Sequence, residues 1–244
     1  MELKKVLIIP DVHGRDFWKE PCREDKIGKY DKIIFLGDYV DPYEDEGLHS
    51  KDGVSMLKEI IDFKKAHEDK VVLLLGNHDL HYIYDDIEKS SRYDGIFANE
   101  IRLIFNENMD LFQLAFECEF GGKRHLFTHA GIMASWYERH KERIGELTAD
   151  NLNKLLETRE SRIPLNDVSP YRMFFPMYSS GSIIWSDVQE RFRKRDNGEI
   201  DGIMQTFGHT RMRKGGFIDQ KNWACLDCQE AFSFTKSGRW KIVK

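Results

Sequence analysis

Five short clusters in the 244-residue chain carry side chains that can do chemistry together. They are Asp11-Val12-His13-Gly14, Gly37-Asp38-Tyr39-Val40-Asp41, Gly76-Asn77-His78-Asp79, His129-Ala130-Gly131 and Gly208-His209-Thr210. Carboxylates, imidazoles and an amide oxygen are the donors that suit first-row cations such as Mn, Fe, Zn or Ni. In a two-metal site the ions sit about 3.5–4 Å apart, and one carboxylate must bridge them. Taken singly, each cluster could be a polar turn with a capping Asp. Together, each following an apolar run and holding a glycine that permits a sharp turn, they predict a dimetal centre.

The elements that must position these clusters read as strands. Lys5 to Pro10, Lys32 to Leu36 and Lys70 to Leu75 are short apolar runs bounded by turn residues, the pattern of parallel strands buried on both faces. Between the second and third, Val54, Leu57, Ile60 and Ile61 recur at helical spacing within Val54 to His67. That is the strand–helix–strand unit of a layered α/β sheet. Each run ends in one of the clusters, and ligands bind at the carboxyl ends of strands in such sheets.

The second half has shorter elements. Phe112 to Phe120 and Lys123 to Thr128 flank Gly121-Gly122, a hairpin turn. Glu146 to Arg159 reads as a polar-faced helix. Arg162 to Ser182, with three prolines and an aromatic-rich patch at Tyr171 to Tyr178, is an irregular connection suited to setting substrate selectivity. Ile203 to Phe207, Gly216 to Leu226, Ala231 to Thr235 and Arg239 to Val243 read as strands, the last two joined at Ser237-Gly238. The expected fold class is α/β: a layered α/β/β/α sandwich of two mixed sheets flanked by helices. The dimetal site lies at the carboxyl ends of strands, in one domain over residues 1–244.

Composition narrows the partners. A net charge of −5 gives no broad surface for nucleic acid or anionic membrane. The apolar run Val6 to Ile9 is too short for an export signal or a membrane span, so a cytoplasmic location is expected. Cys225 and Cys228 form a single C-x-x-C where a zinc ribbon needs two, and they read as thiols in or near a core.

The five clusters resemble those of the calcineurin-like metallophosphoesterase superfamily, and within it the phosphoprotein-phosphatase (Ser/Thr protein phosphatase-like) branch. Ile183-Ile184-Trp185-Ser186-Asp187 is similar to the Leu-Leu-Trp-Ser-Asp stretch of protein Ser/Thr phosphatases. The resemblance implies Asp11 and His13 on a first metal, Asp38 as the bridge, and Asn77, His129 and His209 on a second. His78 matches the general acid and Asp41 the carboxylate that orients it. Two divalent ions are implied, Mn foremost, with Fe, Zn or Ni as alternatives. A hydroxide bridging them would attack phosphorus in line while His78 protonates the leaving oxygen.

Three departures bear on substrate. In protein phosphatases the second Asp is followed by Arg-Gly, and that Arg clamps phosphate; here Asp41 is followed by Pro42-Tyr43-Glu44-Asp45-Glu46. Asp79 stands where that branch has Glu. Position 211 is Arg, so the Gly-His-x-His ending of other branches is absent. Candidates to replace the clamp are Arg15, Arg92, Arg172 and Arg211, since guanidinium suits bidentate phosphate contacts; the plain alternative is four surface charges. Glu44 to Glu46 reads as a solvated loop, Asp227 as structural, and His49, His67 and His140 as solvent-facing. His81 reads as a helix-surface residue, and His125 as facing either solvent or core.

The function expected is a metal-dependent phosphomonoesterase acting on a phosphorylated protein or small molecule. One alternative is a phosphodiesterase or dinucleoside polyphosphate hydrolase, because a diester carries less charge to neutralise. Another is a non-catalytic metal-binding scaffold, which would need no proton donor such as His78. The sequence assigns no oligomeric state.

Overall fold

The computed structural model describes residues 2–172, 180–192, 200–235 and 238–244. Part of the Tyr171 to Tyr178 patch, and Ser237 of the expected Ser237-Gly238 turn, lie outside them. Among the described residues the strands are β1 (Glu2–Leu3), β2 (Lys5–Ile9), β3 (Lys32–Phe35), β4 (Val71–Leu74), β5 (Phe112–Gln113) and β6 (Ala115–Phe120). They continue as β7 (Lys123–Thr128), β8 (Ile203–Phe207), β9 (Ile218–Asp219), β10 (Trp223–Cys225), β11 (Ala231–Thr235) and β12 (Trp240–Val243). One sheet runs β12-β11-β2-β3-β4-β5 and the other β1-β6-β7-β8-β10-β9. Both are mixed: β2 to β5 are parallel with β11 antiparallel beside them, while β7 pairs antiparallel with β6 and parallel with β8.

The apolar runs form central strands because both faces are covered. Leu7, Ile9, Ile33, Phe35 and Leu73 pack with Leu57 and Ile60 of the helix Ser50–Ala66. The alternate residues Val6, Ile8, Ile34, Leu36 and Leu74 pack with Phe127 of the opposite sheet, between the two layers. Each such side chain contributes about 1.5–3 kcal/mol when buried, so both faces of these strands favour apolar residues. The helix begins four residues before the apolar periodicity, because Asp52 at its start accepts the His49 N–H at 2.8 Å.

Some expected elements differ. The run Phe112 to Phe120 is not one strand: β5 extends the first sheet and β6 belongs to the second. At the crossing, the Leu114 and Ala115 N–H groups donate to Asn153 Oδ1 at 2.8 and 2.9 Å, a distant partner that local pattern cannot reveal. The helix expected over Glu146 to Arg159 is shorter, Ala149–Asn153, with Thr148 Oγ1 accepting the Asn151 N–H at 3.1 Å. The run Gly216 to Leu226 divides into β9 and β10. No helix among the described residues is long and apolar enough to cross a membrane.

Candidate dimetal centre

The clusters after β2, β3, β4, β7 and β8 meet at one rim, where the carboxyl ends of the two sheets come together. Their backbone is unusual. Among the described residues, six non-glycine residues have positive φ, and five of them are His13 (46°), Asp38 (55°), Asp41 (55°), Arg92 (64°) and His209 (66°). Left-handed backbone at a non-glycine residue costs of order 1–3 kcal/mol and persists only where neighbours enforce it. Two glycines make room for the carboxylates. A Cβ on Gly76 would lie 2.1 Å from Asp38 Oδ1, and one on Gly208 would lie 1.9 Å from Asp11 Oδ1.

Hydrogen bonds fix which atoms face inward. His13 Nδ1–H donates to the Val40 carbonyl at 2.8 Å, leaving Nε2 toward Asp38 Oδ2 at 3.5 Å. Burial holds the His13 imidazole down at about 3, so a bare lone pair faces a carboxylate. His129 Nδ1–H donates to the Leu36 carbonyl at 2.8 Å, leaving Nε2 3.4 Å from the same Asp38 Oδ2. Asp38 Oδ1 accepts the His78 N–H at 3.0 Å. One oxygen of Asp38 therefore lies between two imidazoles from different sheets, where a carboxylate could serve two cations.

The second cluster of donors is equally pointed. The Asn77 amide donates from Nδ2 to Ser90 Oγ at 2.7 Å, which turns its oxygen to within 3.0 Å of His129 Nε2. His209 Nδ1 is 3.0 Å from His129 Nε2, and His209 Nε2 is buried with no hydrogen-bond partner. Lone pairs converging without a donor are what a cation site requires. Without a cation a proton takes that place: burial opposes it, but the Asp38 and Asp11 charges raise His129 to about 9. His209 N–H donates to both oxygens of Asp11 at 2.9 and 3.1 Å. Burial, reinforced by Asp38 and opposed by His129, lifts the Asp11 carboxyl to about 6. The residues present fit a pair of divalent cations.

His78 and Asp41 stand beside this cluster. His78 Nδ1–H donates to Asp41 Oδ2 at 2.7 Å, and Tyr82 O–H donates to Asp41 Oδ1 at 2.5 Å. Burial would raise the Asp41 carboxyl, but the hydrogen bond from His78 and the close approach of His81 outweigh it and hold it below the ordinary range. The His78 Nε2 edge faces Arg92, whose Nη2 lies 3.3 Å away.

The four arginines have separate fates. Arg15 is gripped by Glu46 (Nε to Oε2 2.6 Å, Nη2 to Oε1 3.0 Å) and donates to the Asp11 carbonyl at 3.3 Å. Arg211 also donates to Glu46 Oε1, at 2.5 Å. The acidic run is thus not merely a solvated loop, since Glu46 is a shared counterion. Arg172 Nη2 pairs with Asp187 Oδ2 at 3.1 Å and donates to the His209 carbonyl at 3.3 Å. Arg92 Nε donates to the Asp41 carbonyl at 3.0 Å, placing Nη2 3.3 Å from His78 Nε2. The guanidinium carbons of Arg92 and Arg211 lie 3.8 and 3.9 Å from the centroid of the Tyr43 ring.

Several neighbours carried no functional signal in the sequence. Ser90 and Tyr43 are brought in by tertiary packing alone. Trp185 meets His209 edge-on at 5.9 Å, and Ser186 O–H donates to the Ala130 carbonyl at 2.6 Å, so the Trp-Ser-Asp stretch backs the two histidines. His81 is not on a helix surface: it is 2% exposed with Nε2 2.9 Å from Asp41 Oδ2. His78, His81 and Tyr82 share one face of the helix Asn77–Ile83 at i, i+3 and i+4. His125 is buried in the core and stacked on Phe127. His140 is not wholly solvent-facing, since its Nε2 lies 2.7 Å from Asp167 Oδ2. Asp227 is buried, its carboxyl pushed well above the ordinary range by burial and by Asp11. All four cysteines are buried free thiols.

Comparison with known proteins agrees with this geometry. The family described as calcineurin-like phosphoesterase matches residues 4–227. A cold-active protein-tyrosine phosphatase from a psychrophilic Shewanella shares the fold at 15% identity and a TM-score of 0.57, over 99% of this chain and 81% of that one. A protein serine/threonine phosphatase from Saccharomyces cerevisiae superposes at 15% identity and TM-score 0.52, over 98% of this chain and 79% of that one. A putative diadenosine tetraphosphatase gives 17% and 0.50, over 99% and 93% of the two chains. No curated protein matches the sequence.

Proposed function

The chain belongs to the calcineurin-like phosphoesterase family and is a hydrolase of phosphate esters, and we propose that its substrates are phosphomonoesters, on a phosphoprotein or a small molecule. Asp11, His13 and Asp38 would hold a first divalent ion, and Asp38, Asn77, His129 and His209 a second, with Mn foremost for this mixed oxygen and nitrogen set. When bound, such a pair supplies an activated water and offsets charge on the phosphoryl oxygens.

The observation that carries the monoester reading is Arg92 Nη2 at 3.3 Å from His78 Nε2. His78 Nδ1–H is committed to Asp41, so Nε2 is the ring atom that faces Arg92. Here Nη2–H donates to that Nε2, and once Nε2 carries the proton of a general acid both groups would instead donate to an anionic oxygen entering beside them. A phosphomonoester supplies both a leaving oxygen for His78 and free phosphoryl oxygens for Arg92. Arg172, beside the His209 carbonyl, would meet a third oxygen, while Arg15 and Arg211 hold Glu46 and shape the rim.

The test is a paired rate assay on p-nitrophenyl phosphate and bis-p-nitrophenyl phosphate, using metal-stripped protein reloaded with Mn²⁺ and Asp38→Asn as control. Faster monoester turnover, dependent on metal and on Asp38, is the expected result. Faster diester turnover would replace the reading with a nucleotide-directed diesterase, and turnover of neither would leave a metal-binding scaffold.

A further inference from the structure

His81 lies between Asp41 of the acid pair and Ser90, the residue that holds the Asn77 amide, and touches both. Its Nδ1 accepts the Ser90 N–H at 3.0 Å, and its Nε2 is 2.9 Å from Asp41 Oδ2, off the line of a full hydrogen bond. Ser90 in turn accepts the Asn77 amide through its hydroxyl at 2.7 Å. A backbone N–H on Nδ1 settles the tautomer: the ring proton sits on Nε2 and faces the carboxylate. Burial favours the same neutral ring. Tyr82 and Tyr93 close around His81 edge-on at 4.3 and 5.0 Å between ring centroids, so it has little room to turn.

We propose that His81 is a positioning residue with two arms, one holding Asp41 for His78 and the other holding Ser90, and through it the Asn77 oxygen, for the second cation. This rests on the phosphomonoesterase reading and deepens it. Asp41 receives His78 on one oxygen and Tyr82 on the other, and His81 approaches the oxygen that His78 uses. The Nε2–H of His81, 2.9 Å away, attracts that oxygen and restrains it on the side where His78 donates. On the other side, Ser90 Oγ can accept from Asn77 only while its own backbone is held in place. The contact with Nδ1 does this. Metal ligands rely on such outer partners for orientation.

Two near-isosteres separate the arms. An Asn amide reaches about as far as Nδ1 and a Gln amide about as far as Nε2. His81→Asn therefore keeps an acceptor for Ser90 and loses the Asp41 contact, whereas His81→Gln keeps a donor for Asp41 and loses Ser90. With Mn²⁺-loaded protein, His81→Asn is expected to lose about tenfold in kcat on phenyl phosphate and far less on p-nitrophenyl phosphate, a fraction of the 10²–10⁴ that acid catalysis contributes. Its Mn²⁺ affinity, read by titration calorimetry, should stay at the wild-type value. His81→Gln is expected to reverse the pattern, with the leaving-group dependence kept and Mn²⁺ affinity down about 10–100-fold. Equal losses on both esters with unchanged Mn²⁺ binding in both variants would overturn the proposal and leave His81 a packing residue. If wild-type protein turned over neither ester, the phosphomonoesterase reading would fall, and the Mn²⁺ titration of His81→Gln would still decide the Ser90 arm.

Discussion

Asp79 Oδ2 accepts the backbone N–H of Asp38 at 2.7 Å, so the residue proposed to bridge two cations stands on a turn set by a second carboxylate. The same side chain accepts the N–H groups of Tyr39 at 2.9 Å and Gly76 at 2.9 Å. It is fully buried. Three donors on one side chain explain how Asp38 is kept at a φ of 55°.

Asp79→Asn puts an N–H₂ where one of those donors needs an acceptor. Each buried group left unpaired costs about 1–3 kcal/mol. For a chain of this size each kcal/mol lowers Tm by roughly 2–4 °C. Thermal unfolding of the metal-free protein should show that fall, and an unchanged Tm would mean that Asp79 does not enforce the turn.

His78→Asn should retain bound metal and lose turnover in proportion to how poor the leaving group is. Loss of a general acid is worth about 10²–10⁴ on a demanding substrate. Rates on a series of aryl phosphates, with metal content measured on the same samples, provide the check. A uniform loss across the series would remove His78 from the acid role.

Arg92 and Arg15 should behave differently although both lie beside predicted site residues. Arg92→Ala is expected to lower kcat/KM on p-nitrophenyl phosphate by roughly 10–100-fold, the range of a charged hydrogen bond. Arg15→Ala leaves Glu46 with Arg211 and should shift stability more than kcat/KM. Inhibition by inorganic phosphate should weaken with Arg92→Ala, and parallel behaviour of the two variants would contradict the assignment.

His125 gives a pH dependence far from the chemistry. Burial pulls its imidazole down to about 3, against an ordinary value near 6.5. The unfolded chain therefore takes up a proton below about 6.5 that the folded one refuses until about 3, and stability present above 6.5 is lost as pH falls through that window. The slope is at most about 1.4 kcal/mol per pH unit. Comparing Tm against pH for metal-free wild type and His125→Phe isolates it. The difference between the two should change steadily from pH 6.5 downward, and a constant offset would refute the assignment.

Much of this was legible in the sequence for a local reason. Continuous apolar runs such as Lys5 to Pro10 have to be central strands, and a polar cluster after each run has to sit at the sheet's rim. Ligand candidates therefore followed from order along the chain. What the sequence hid was non-local. Nothing in Phe112 to Phe120 marks the point at Leu114 where the chain changes sheets, because the partner that accepts its N–H is Asn153. Glu46 reads as one of three acids in a loop until Arg15 and Arg211 are seen folded onto it. His81 could have been found, since three residues on from His78 in a helix is the same face. The short helix Asn77–Ile83 shows no apolar periodicity, being buried all round.

The two proposed cation sites differ in the sheets they draw on. Asp11, His13 and Asp38 follow strands of one sheet only, β2 and β3, whereas the other site adds His129 and His209 from behind β7 and β8 of the opposite sheet. An ion in the first site would tighten loops within a single sheet. An ion in the second would act as a clasp across the seam, which can close around it only after segments as distant in the chain as Asp38 and His209 have met. The layer of β7 and β8 would then owe part of its protection to the ion. Native-state hydrogen exchange with and without Mn²⁺ should show that gain spreading along β7 and β8, and a gain confined to the loops after β2 and β3 would mean the clasp is not there.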